Sequence, residues 1–139
     1  MLYHYFRSKA GLYEAILEAE TRDLILRVGA AVPTKPGTPR LRAGVDAYLS
    51  FLAERPATWR LLLRDPPADP ALIEVHERLA GERSAALAEL LAAPSKRADA
   101  ATHIDLVATA IRAFASWWYE HREIPQEQIT DAIVAVARS

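Results

Sequence analysis

The side chains best suited to bind something stand at the N-terminus, in the string Leu2-Tyr3-His4-Tyr5-Phe6-Arg7-Ser8-Lys9. Tyr3, His4 and Tyr5 are hydrogen-bonding aromatics that end one helical stretch, and Lys9 falls in the first turn of the next, behind Ser8 as its N-cap. A helix N-terminus with free N–H groups and a lysine beside it is a phosphate site, and such contacts position a nucleic acid without reading its bases. Tyr3 and Tyr5 read equally as cover for the core. A second set, Tyr48, Phe51, Trp59, His76, Arg112 and Trp117, has the make-up of a ligand pocket, with aromatic walls and a few polar fixtures. Arg112 lies on a largely apolar stretch, where its fork could meet a carboxylate or phosphate. Its alternatives are a salt bridge to Asp105 or Glu120, or exposure along a polar stripe. His76 also reads as a half-buried surface residue, and Trp59 and Trp117 as core.

Little else in the chain could do chemistry. There is no nucleophile elbow, no glycine-rich phosphate loop and no His-Glu-x-x-His helix. The four histidines, at 4, 76, 103 and 121, have no ligand spacing, and there is no cysteine. Asp65 and Asp69 flank prolines and read as helix caps. No catalytic residue, metal site or cofactor is expected, and an enzyme is not. Seventeen Lys+Arg against eighteen Asp+Glu leave a formal net charge of -1, so a general nucleic-acid surface is excluded and any DNA contact must be local. No apolar run is long enough to span a membrane, and the N-terminus lacks the pattern of a signal peptide. A cytoplasmic protein without membrane contact is the expectation.

These residues are positioned by helices. Nine prolines, at 33, 36, 39, 56, 66, 67, 70, 94 and 125, fall between periodic apolar segments and never inside one. Nothing alternates like a strand. The spacing predicts a helix over 9–31 with Leu12, Ile16, Ala19, Leu24 and Val28 inward. A second, capped by Thr38, carries Leu41, Val45, Tyr48, Leu49 and Leu52, and a short one covers 57–64. Asp69 caps a long helix striped by Leu72, Val75, Leu79, Ala86 and Leu90, with Arg78 pairing Glu74 and Glu82 on its wet face. The helix over 98–121 is apolar on two sides, with Ile104, Val107, Ile111, Phe114 and Trp118 in one row and Leu106, Ala110, Ala113 and Trp117 in another. The last, over 126–138, presents Ile129, Ala132, Ile133 and Val136 and is too short to stand alone. The fold class is all-α, a bundle of about six helices. Two such C-terminal helices from each of two chains make a four-helix bundle, so Ile104, Val107, Ile111, Phe114, Trp118, Ile129, Ile133 and Val136 are the candidate dimerisation residues. The alternative is that they fill this chain's own core.

The N-terminal string, continued by Gly11-Leu12-Tyr13-Glu14-Ala15-Ile16-Leu17, resembles the end of the helix-turn-helix in TetR-family transcriptional repressors. The segments FLAERPATWRLLLRD and WWYEHREIPQEQITDAI are similar to that family's short helix after a proline break and to the junction of its two dimerisation helices. The resemblance implies a TetR-like C-terminal regulatory domain preceded by the end of the recognition helix. Residues 1–31 would be the remnant of a DNA-binding headpiece plus its connecting helix, and residues 32–139 a ligand-binding and dimerisation domain. It also implies that Tyr3, His4 and Lys9 match backbone-phosphate positions and that Tyr5 matches a DNA-contacting one. The base-reading residues would lie upstream of Met1, which reads as an internal methionine of a longer protein. The function implied is a ligand-responsive repressor that acts as a homodimer on an unknown small-molecule effector, with operator DNA bound by the full-length form only. The helix over 9–31 would carry the allosteric signal. The alternative is a helical ligand-binding or heterodimerising protein that no longer binds DNA.

Overall fold

The computed structural model describes residues 8–35, 37–91 and 100–138, with the side chains of Ala100, Ala101, Ile104 and Arg138 left outside that description. Tyr3, His4 and Tyr5 therefore lie outside the described residues. Among the described residues all regular structure is helical: α1 (Lys9–Ala31), α2 (Thr38–Glu54), α3 (Pro56–Trp59) running into a π-helical turn (Arg60–Arg64), α4 (Pro70–Leu91), α5 (Ala100–Tyr119) and α6 (Gln126–Arg138).

Each start has a local cause. Ser8 caps α1, its hydroxyl accepting from Gly11 N at 2.9 Å. α4 begins where Asp69 Oδ1 accepts from Ala71 N at 2.9 Å, with Pro70 in the first position. The cap of α2 is Gly37 and not Thr38: its φ of 132° lies where a side chain is strained, and its carbonyl accepts from Arg40 N and Leu41 N. Thr38 is the first helical residue of α2 instead.

α2 is the central element, in contact with α1, α4 and α6, and its Val45, Tyr48, Leu49, Phe51 and Leu52 are at most 1% exposed. α1 lies along α4 and α2 through Leu17, Leu24 and Val28. Ile16 and Ala19, expected inward, face out, because the rows that meet α4 and α2 pass through Tyr13 and Leu17 instead. α4 buries Leu72, Leu79, Arg83, Leu87 and Leu91, a stripe shifted by one position from the Ala86–Leu90 register. Arg78 does meet Glu82, at 3.9 Å, but its close partner is Glu14 of α1. α5 and α6 pack on each other, and α6 also packs on α2. Their junction is fixed by Trp118 Nε1 donating to Ile124 O at 2.8 Å and Gln126 Nε2 donating to Asp46 Oδ1 and Ser50 Oγ of α2.

Candidate functional site

Three elements converge on a cleft of about 340 Å³. The π-helical turn supplies Leu62 and Leu63, α4 supplies His76, Ala80 and Arg83, and α5 supplies Thr109, Arg112, Ala113 and Ser116. The positions on α4 and α5 are three and four apart, so each set lies on one helix face. The turn is held over the cleft by Arg64, which donates from Nη1 to Ser116 O and Oγ, both at 3.1 Å, and pairs with Glu120. Among the described residues no carboxylate lines the cleft.

Arg83 is the most constrained group there. It is 3% exposed, and its one hydrogen bond among the described residues runs from Nη2 to Leu62 O at 3.4 Å. Burial pulls its pKa down and Arg112 acts the same way, against an offset from Tyr48 and Tyr13. An arginine nonetheless remains charged at neutral pH. Arg112 is exposed at the cleft's rim. Its anticipated partner Glu120 is taken by Arg64, and no ion pair among the described residues involves Arg112 or Arg83. His76 is half-buried, and its Nδ1 lies 3.2 Å from the Tyr13 hydroxyl of α1. Burial lowers its pKa and Arg83 lowers it further, against Glu77, so the neutral imidazole is favoured.

Of the six pocket candidates, then, His76 and Arg112 line one cleft together. Tyr48, Phe51 and Trp59 are sealed in the core, at most 1% exposed. Trp59 donates from Nε1 to Ala115 O at 3.0 Å and packs against Trp118 and Tyr119, with ring centroids 5.1 Å away in both cases. Trp117 is 45% exposed and stacks on His121 at 3.8 Å. Lys9 stands exposed in the first turn of α1. The residue that sequence reasoning missed is Arg83. A signal was present: Arg83 falls four after Leu79 and four before Leu87, a charge at a core register of an apolar stripe.

Of the dimerisation candidates, Ile111, Trp118, Ile129 and Ile133 are buried within this chain, and Val107 and Phe114 pack partly against the same core. Val136 is 45% exposed, and the side chain of Ile104 lies outside the description. What α5 leaves outward is its second apolar row, with Leu106 63% exposed and Ala113 and Trp117 beside it. Among the described residues there is no group of three metal-ligating side chains, and no helix is long and apolar enough to cross a membrane.

The family model of the tetracyclin repressor-like C-terminal domain matches residues 38–137. A search of curated proteins finds no match to the chain.

Proposed function

The chain belongs to the tetracyclin repressor-like family, and from that premise we propose that it is the sensor and dimerisation body of a ligand-responsive transcriptional repressor of the cytoplasm. The observation that carries the reading is the coincidence of the family match over residues 38–137 with a helix, α5, that is apolar on two sides and covered on one. In this reading the outward row of Leu106, Ala113 and Trp117 meets a second copy, and the cleft between α4 and α5 takes the effector. The protein acts by binding and not by catalysis, with residues 1–31 as the remnant of a DNA-binding headpiece plus its connecting helix.

The contacts of α1 support a route for the signal. Tyr13 of α1 touches the cleft residue His76, and Glu14, one residue on, pairs with Arg78 of α4. An effector that shifts α4 therefore acts on the helix that leads to the headpiece, and its differential affinity for the two positions of α1 would set the DNA response.

Two measurements test this. Sedimentation equilibrium of the 139-residue chain is expected to give the mass of two copies. Deleting the gene is expected to change transcription of a small set of genes, with complementation restoring it. A monomeric chain, or transcription that the deletion leaves unchanged, overturns the reading.

A further inference from the structure

Arg83 poses a physical problem that its partners among the described residues do not resolve. A guanidinium taken out of water normally has a carboxylate beside it, because desolvation of an unpaired charge is uncompensated. Arg83 is 3% exposed, and among the described residues no acidic side chain pairs with it and its single backbone contact is long. A second guanidinium without an ion pair among the described residues, Arg112, faces the same cleft, and its charge works against that of Arg83. The rest of the lining is the hydroxyls of Thr109 and Ser116, the neutral-leaning His76 and an alkyl wall of leucine and alanine.

We propose that the cleft between the π-helical turn, α4 and α5 binds a small organic carboxylate, its anionic end held by Arg83 and Arg112 and its apolar body laid against Leu62, Leu63 and Ala80. This rests on the reading of that cleft as the effector site. Charge sets the class: one guanidinium is buried, the other is at the rim and open to water, and a single negative charge neutralises the buried one. An inorganic dianion would leave the alkyl wall against water. A planar guanidinium matches a carboxylate through two parallel hydrogen bonds. Volume sets the size: a cleft of about 340 Å³ lies at the small end of the roughly 300–1,000 Å³ of ligand pockets, so the carboxylate is a small one.

The test is calorimetric titration of the whole chain with sodium octanoate, sodium phenylacetate, octanamide, phenylacetamide, octylammonium and inorganic phosphate. At least one carboxylate is expected to bind, with its amide weaker by about tenfold or more, since a charge-assisted pair is lost. Arg83→Met and Arg112→Met are each expected to weaken the carboxylate by about tenfold or more. Arg83→Met is also expected to raise the melting temperature of the unliganded protein, because it removes a buried charge that lacks a partner. The rim variant Arg112→Met keeps the core intact and reads binding without that stability change. If the amides or octylammonium bind as tightly as the carboxylates, the anion assignment fails while the cleft remains an effector site. Phosphate binding without carboxylate binding also overturns it. Absence of binding by both carboxylates overturns the proposal, and leaves the dimer and transcription measurements to judge the wider reading separately.

Discussion

Tyr48 shows how much a single residue's surroundings decide. It sits wholly inside the core, and burial pushes its phenol up to about 12, with Arg83 and Arg112 pulling the other way. In the unfolded chain the phenol ionises near its ordinary value of 10. A folded-state pKa above the unfolded one means that stability is fully present below pH 10 and is lost as pH rises from about 10 to about 12, by roughly 2–3 kcal/mol. Denaturant melts on either side of that window are expected to show Tyr48→Phe losing less stability than the parent chain; equal losses would mean that the phenol is not held neutral. Trp59 is a second case. Its ring meets Trp118 and Tyr119 while its N–H reaches Ala115 O. Trp59→Phe is expected to cost about 1–3 kcal/mol in urea unfolding, through a partly emptied site and a lost hydrogen bond. An unchanged midpoint would show that the site collapses around the smaller ring. Residue type alone put Tyr48, Phe51 and Trp59 among pocket candidates because the same aromatics line cores and clefts. Their rows are inward on α2 and α3, and only the packing of α5 and α6 over them settles which of the two they line.

Among the elements, helices were legible where a chemical stop signal stood at each end. Ser8, Asp69 with Pro70, and Pro125 mark starts that the structure keeps, because a cap or a missing N–H acts within one turn. The π-helical turn was not legible: Asp65 N donates to Arg60 O at 2.8 Å, a wider ring that no residue type specifies. Nor was Arg83 read as a site residue, since apolar patterning counts the hydrophobic positions of a stripe and passes over a charge among them. Two helical glycines then behave oppositely. At Gly81 of α4 an added methyl would meet nothing within 4 Å, so Gly81→Ala is expected to stabilise by about 0.5–1 kcal/mol through helix propensity. At Gly44 of α2 the same methyl would stand 2.0 Å from Leu91 Cδ2 and 3.1 Å from Val32 Cγ1, where α2 passes the end of α4. Leu91 is a buried core side chain and Val32 packs, partly buried, against the same core, so Gly44→Ala is expected to destabilise by about 1–3 kcal/mol. Thermal melts of the two variants check this; stabilisation by both would show that Leu91 yields freely.

At the scale of the whole molecule, α5 leaves a grouped apolar surface to be accounted for among the described residues. The first row of α5 is used up by this chain's core, through Ile111 and Trp118. The second row keeps Leu106 63% and Trp117 45% exposed, next to Ala113 at the mouth of the cleft. Exposed bulky side chains grouped on one helix face mark an interaction surface more readily than scattered ones do. A formal net charge of -1 puts no strong self-repulsion in the way of a second copy. A guanidinium placed at the centre of such an interface must be desolvated without a partner, whereas on a solvated helix face it costs little. The double variant Leu106→Arg, Trp117→Arg is therefore expected to sediment as a single chain where the parent sediments as two, with the far-ultraviolet circular dichroism of both still fully helical. Loss of helicity would place these two side chains in the fold itself, and a double variant that still sediments as a dimer would move the interface off α5 altogether.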